Sequence, residues 1–303
     1  MHPIICQMGP VTIYSYGLML VIAFVVSSRL ACSYAKRQDI NPDMIFNFLF
    51  FILILGILGA RIFYIIENIS YYLKNPWEVI MLQHGGLSWF GGLLAGVIFS
   101  LLYLKKNKLS PYRIFDLIIP FIALGQAIGR IGCLFNGCCF GRISEKFGLY
   151  FESQELMLIP TQIYSALLLT LIFIVLRFLQ DRTYPETDRR EGGSFTRAEA
   201  RSEDDGVVTA LRRGRATQPQ AEEMTALPTS GFGTSSMPHK DGQIFFVYLL
   251  LYSIKRFFIE FLRADNAIIF SGLTLFQFLS IIIFCFASVW LFLKVRKHRK
   301  IPL

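Results

Sequence analysis

The sequence predicts an all-α, polytopic seven-helix transmembrane bundle with its N-terminus outside and its C-terminus in the cytoplasm. Of its 303 residues 54% are hydrophobic, including 29 Phe, and the mean hydropathy is +0.50. The apolar residues fall in long runs instead of alternating with a period of 3.6 or 2, as bilayer-spanning helices require. The basic residues, finally, collect in loops that share one side when successive segments alternate.

Seven stretches are long enough to cross a bilayer, at 11–33, 44–66, 86–104, 112–130, 160–180, 242–262 and 273–293. They form one membrane domain in three parts: 1–181 with the first five helices and their outer loops, 182–241, and 242–303 with two helices and a basic tail. The first stretch begins too near the start, without a basic flank or a small-residue cleavage site, to be a removable signal. Residues 182–241 are rich in Arg, Glu, Ser, Thr, Gly and Pro and poor in large apolar side chains, so a disordered cytoplasmic insertion is expected there.

A net charge of +9 raises the possibility of nucleic acid, and its distribution argues against that partner. The basic clusters lie at Lys36 and Arg37, at Lys105, Lys106 and Lys108, between Arg182 and Arg215, and from Lys294 to Lys300. They read as orientation signals and contacts with anionic lipid. The loops 67–85, 131–159 and 263–272 are then outside.

Four arginines run against that bias. Arg61, Arg130, Arg256 and Arg263 are all expected in the outer half of the membrane. A single arginine at a helix end can snorkel to the headgroups, but one at bilayer depth is costly and marks a functional site. Arg256, Glu260 and Arg263 follow i, i+4, i+7 spacing and share a helical face. Arg130 closes a greasy helix that breaks into Gly132, Gly137 and Gly141 with three cysteines among them. Guanidinium forks grip phosphate oxygens in pairs, so the group suits a phospholipid phosphodiester.

Two further features are weaker. The stretch HGGLSWFGGLLAG, from His84 to Gly96, holds a Gly92/Gly96 pair suited to close helix packing. Its leading Gly85 and Gly86 could face N–H groups toward an anion. Among the cysteines, Cys6, Cys32 and Cys285 are scattered, whereas Cys133, Cys138 and Cys139 cluster on the outer side, where disulfides are allowed. Their C-x4-C-C spacing matches no common zinc framework, so no metal is predicted.

The run GRIGCLFNGCCFG resembles the signature of prolipoprotein diacylglyceryl transferases, G-R-x-G-N-F-x-N-G-E-x-x-G, with Gly129, Arg130, Gly132, Asn136, Gly137 and Gly141 in register. Further matches follow in chain order: GPVTIYSYGLM with Tyr16, GARIFY with Arg61, HGGLSWFGGLLAG with Gly91 and Gly92, PTQIY with Gln162, and RFFIEFLRAD with Arg256, Glu260 and Arg263. The resemblance covers the chain apart from 182–241. It implies an enzyme of the bacterial inner membrane, with its site toward the periplasm and no metal or soluble cofactor. That enzyme moves the diacylglyceryl group of phosphatidylglycerol to the lipobox cysteine in the signal peptide of a preprolipoprotein, releasing glycerol 1-phosphate.

On this reading Arg130 binds the phosphate and Arg256 is a second clamp oriented by Glu260. Tyr16 hydrogen-bonds the headgroup and Asn136 supports the loop. Arg61, Arg263, Gly91, Gly92, Gly132, Gly141 and His84 complete the substrate site. Four positions depart from the pattern. The family's histidine in S-F-H-G-G is Phe90, its first signature asparagine is Cys133 with its glutamate at Cys138, and the histidine before P-S-Q-L-Y is Ile159. The usual general base is thus absent, and His84 is the candidate replacement. The competing expectation is a lipid-binding or lipid-translocating paralogue without transferase activity.

Overall fold

The computed structural model describes residues 4–8, 11–79, 85–151, 154–184, 241–263, 268–270 and 272–299. Chain contacts divide it into one unit of Met1–Gln180 with Asp241–Leu303, and another of Asp181–Lys240. Most of 182–241 and His84 lie outside the described residues, so the expectations placed on them find no counterpart here.

Eight α-helices make up the described fold: α1 (Ser15–Arg37), α2 (Pro42–Glu67), α3 (Ile69–Tyr72), α4 (Trp89–Lys106), α5 (Pro111–Phe135), α6 (Thr161–Thr183), α7 (Gln243–Leu262) and α8 (Leu275–Arg299). Six of them, α1, α2, α4, α5, α6 and α8, are long and apolar enough to cross a membrane. Helix α7 is 20 residues long but carries Lys255, Arg256 and Glu260 within its length.

Local chemistry sets the helix ends. At α2, Pro42 takes the first helical position and the Asn41 side chain accepts from the Asp43 N–H at 2.9 Å, satisfying one of the orphan donors. Lys36 and Arg37 close α1, and Lys105 and Lys106 close α4, where cations meet the negative ends of the helix dipoles. The start of α7 is capped from another helix. Buried Asp116 of α5 accepts from the N–H groups of Gly242 at 2.7 Å and Phe245 at 2.8 Å.

The buried cluster lies where α1, α2, α4 and α5 meet, around Tyr34, Ile45, Phe48, Leu104, Ile114 and Phe121. Large side chains on the other faces, such as Phe51, Leu94, Leu101, Leu171 and Phe286, are exposed, as lipid-facing residues would be. Helices α2 and α4 approach closely through glycines. A Cβ on Gly59 would stand 2.8 Å from the Gly91 carbonyl oxygen, and one on Gly92 would stand 3.2 Å from that of Gly56.

The structure departs from the purely helical expectation at helix ends, where three two-stranded hairpins form among the described residues. Ile4–Met8 pairs with Val11–Tyr14, Leu149–Phe151 with Leu156–Leu158, and Ile268–Phe270 with Leu273–Thr274. The first hydrophobic stretch therefore begins as a strand and becomes helix at Ser15. The third stretch also starts later than expected, at Trp89, because Gly85 and Gly86 hold φ near +80°, outside helical backbone.

A candidate anion site where five helix ends meet

The site grows from the end of α5. Asn136 caps the helix and Gly137 takes φ +68°. The Gly137 N–H donates to the Leu134 carbonyl at 3.1 Å and the Cys138 N–H to the Cys133 carbonyl at 3.1 Å, the two bonds of a Schellman cap. That cap folds the chain back so that Cys138 lies over Cys133. Cys139, at φ +63°, turns it again.

The emerging strand is then clasped between α6 and α7. The Gly141 N–H donates to the Ile159 carbonyl at 2.8 Å, and the Arg142 N–H to the Leu262 carbonyl at 2.8 Å. Thr161 and Gln162 at the start of α6 donate to the carbonyls of Cys139 and Cys138, both at 2.6 Å. A Cβ on Gly141 would stand 2.4 Å from the Leu262 oxygen, so this glycine exists for backbone approach. Gly132 plays the same part toward α1, its missing Cβ lying 2.9 Å from Met19 and 3.4 Å from the Tyr16 ring.

Helix α7 supplies most of the charge. Arg256 Nη2 pairs with Glu260 at 3.2 Å, and the Phe276 ring lies 4.4 Å beneath the guanidinium. Buried Glu260 is itself fixed by the Thr274 hydroxyl, which donates to it at 2.9 Å. Lys255 is also buried, its Nζ 4.6 Å from the centre of the Tyr252 ring.

These side chains share one electrostatic neighbourhood. The Arg130 charge acts on Tyr16, Cys139, Lys255 and Arg256, and the Arg263 charge on Cys139, Lys255 and Arg256. Arg256 is paired with Glu260, and Arg130, Lys255 and Arg263 lie within electrostatic reach of Arg256. Cations so concentrated in a half-buried place favour an anion. The Cys139 thiol is held well below the ordinary thiol range by hydrogen bonds from Cys133 and Cys138, with Arg263 and Arg130 adding to the effect against burial. Asn136 hydrogen-bonds Cys138, tying the cap to the cysteines. The ends of α1, α5, α6, α7 and α8 each contribute residues to this group.

The profile of the prolipoprotein diacylglyceryl transferase family matches residues 3–196 and 228–293. The chain belongs to that family. Among its relatives, the phosphatidylglycerol–prolipoprotein diacylglyceryl transferase of Fusobacterium nucleatum is 41% identical over 138 residues, 45% of this chain and 48% of that protein. Proteins of the same name match more fully from Limosilactobacillus reuteri, at 28% identity over all of this chain and 94% of the relative, and from Lactiplantibacillus plantarum, at 26% over 98% and 90%.

The family's signature residues take different places. Arg130, Arg256, Glu260, Arg263, Tyr16, Asn136, Gly132 and Gly141 lie in or against the cation cluster described above. Arg61, by contrast, is buried and donates to the carbonyls of Glu78, Val79, Gly85 and Gly86 at 2.5–3.1 Å, so it clasps the loop before α4. Gly85 and Gly86 turn their carbonyls toward that guanidinium. Gly91 and Gly92 lie in the α2–α4 contact, and Phe90 is half exposed on α4.

Lys255, Thr161 and Thr274 are not among the residues that the sequence singles out. Lys255 stood beside Arg256 in an apolar helix and was itself a signal of the kind that singled out the arginines. Thr274 carried none, since its pairing with Glu260 depends on the α7–α8 turn. The C-x4-C-C spacing matches no common zinc framework, yet the helix cap brings the three Sγ atoms within 4.8 Å of one another.

Proposed function

We propose that this chain transfers the diacylglyceryl group of phosphatidylglycerol to the thiol of the lipobox cysteine of a preprolipoprotein, releasing glycerol 1-phosphate. The observation that carries the reading is the grouping of Arg130, Lys255, Arg256 and Arg263 in one electrostatic neighbourhood, in a chain whose family and relatives bear that activity in their names. Helix α7 is the seventh span. The helix ends that carry Lys36, Arg37, Lys105 and Lys106 face the cytoplasm, and the hairpins and the site face the periplasm.

The chemistry explains the grouping of cations. The lipid phosphodiester carries one negative charge, and the departing glycerol phosphate gains a second as the carbon–oxygen bond breaks. Donors aimed at that developing charge lower the barrier more than they tighten the ground state. Arg130 and Arg263 grip the phosphate from the α5 loop and the end of α7. Arg256, held by Glu260 and the Phe276 ring, is the clamp from the other side, and Lys255 adds to the field. Tyr16 hydrogen-bonds the headgroup, while Asn136, Gly132 and Gly141 fix the loop. Arg61 serves the fold of the outer loop and does not touch lipid.

Purified protein in phosphatidylglycerol vesicles, given a lipobox peptide, should yield a diacylglyceryl–peptide adduct by mass spectrometry. Arg130→Ala should lower the rate about 100- to 1,000-fold, the loss typical of one donor to a developing oxyanion. Lipid binding without adduct would establish the non-transferring reading, which the relatives' names do not favour. Near-normal turnover of Arg130→Ala would remove that residue from the mechanism.

A further inference from the structure

Cys133, Cys138 and Cys139 form a group that the phosphate site does not use. Their Sγ atoms all lie within 4.8 Å of one another, one at the buried end of α5 and two on the loop that follows. A tetrahedral zinc with bonds of about 2.3 Å sets its thiolates roughly 3.8 Å apart, so closing on an ion needs shifts of about an ångström. Hydrogen bonds already fix the backbone around them. The Cys138 and Cys139 carbonyls accept from Gln162 and Thr161, and the Cys138 N–H donates to Cys133.

Three thiolates around a divalent ion leave a net charge of about −1, which the nearby Arg130 and Arg263 offset. Three protein ligands also leave one position open, as in catalytic zinc sites and unlike closed structural ones. The transfer needs a substrate thiolate. Among the described residues around Arg130 there is no histidine, the carboxylate Glu260 is engaged by Arg256 and Thr274, and Phe90 lies half exposed on α4.

We propose that Cys133, Cys138 and Cys139 bind a soft divalent metal such as zinc, whose open fourth position takes the incoming lipobox thiol as a thiolate. This rests on the transferase reading above. Coordination deprotonates a thiol outright, so the proton passes to solvent as the sulfur–metal bond forms. The bound sulfur then forms a bond to the terminal glyceryl carbon as that carbon's bond to the phosphate oxygen breaks. The electron pair leaves with glycerol phosphate on the arginines, and the neutral thioether, a weak ligand, departs. No oxidant or reductant is required.

The test uses the full chain, purified and stripped with a chelator, then loaded with Co2+ as a spectroscopic probe or with Zn2+ for turnover. One Co2+ per chain should give tetrahedral visible bands with thiolate charge transfer. A lipobox peptide should raise the charge-transfer band by roughly one third, from three thiolates to four, and the same peptide with serine for cysteine should not. Zn2+ should restore diacylglyceryl transfer to stripped protein by about 100-fold, the scale of lost assistance to one proton transfer. Cys139→Ser should weaken both the spectrum and the restoration.

Equal transfer with and without metal would overturn the proposal and leave the transferase reading standing. So would an absent thiolate band, or a disulfide among the three cysteines mapped by mass spectrometry. Peptide ligation to Co2+ with no adduct under any condition would instead overturn the transferase reading while sustaining the metal–thiol site.

Discussion

Replacing Gly141 with alanine tests how the active loop is held. The added methyl would lie 2.4 Å from the Leu262 carbonyl oxygen, 2.8 Å from Thr161 Cγ2 and 3.0 Å from Ile159 Cβ. Carbon and carbonyl oxygen approach comfortably at about 3.3 Å, so the loop and the end of α7 must separate by roughly 0.9 Å. Two backbone hydrogen bonds, from Gly141 to Ile159 and from Arg142 to Leu262, both 2.8 Å, stretch or break. At about 1 kcal/mol each, the stability loss is about 2 kcal/mol.

The effect on turnover should be larger than that loss implies. An ångström of misplacement can cost about 100-fold in rate, and the moved loop connects the Arg130 helix to Arg263. Thermal unfolding in detergent and adduct formation in phosphatidylglycerol vesicles measure the two effects separately. Gly96→Ala is the control, because its methyl would meet Ile52 Cγ2 at 3.9 Å, an ordinary contact. Wild-type turnover from Gly141→Ala at unchanged stability would refute the close clasp between α6 and α7.

Glu260→Gln leaves Arg256 without its buried counterion and should destabilise the protein by about 3 kcal/mol, with a fall in kcat that Glu260→Asp partly restores; denaturant titration and adduct kinetics check both. Arg61→Gln strips the carbonyls of Glu78, Val79, Gly85 and Gly86 of their donor and should lower stability by about 3 kcal/mol, while the KM for phosphatidylglycerol in the folded fraction stays at the wild-type value; a large rise in KM would return Arg61 to the lipid site. Lys255→Met should raise the KM for phosphatidylglycerol several-fold, measured at fixed peptide, because it removes one of the four cations. Deleting residues 190–235 should leave transfer in vesicles unchanged, and a loss above tenfold would give that segment a role.

Much of this was legible because a membrane makes charge conspicuous. Arg130, Arg256 and Arg263 were readable as a group since each opposes both hydropathy and the positive-inside bias, and the i, i+4 spacing anticipated the Arg256–Glu260 pair. Arg61 met the same criterion for another reason, since its cost is repaid by backbone carbonyls that a sequence does not display. Gly91 and Gly92 meet Gly59 and Gly56 on another helix, the close packing that small residues at such spacing suggest. The hairpins at helix ends were hidden because strands of two to five residues take their pairing from the helices that flank them. The cysteine group was in principle readable. Asn136-Gly137 after a helix announces a Schellman cap, and that cap returns Cys138 to Cys133.

The central claim is that clustered cations hold a phosphodiester while a thiol displaces it, and one time course tests it most directly. Released glycerol phosphate and diacylglyceryl–peptide are followed together in vesicles of phosphatidylglycerol. The account predicts equal amounts of both products at every time, with both rates falling together in Arg130→Ala and Arg256→Ala. Glycerol phosphate released without adduct, or full turnover in either variant, would contradict it.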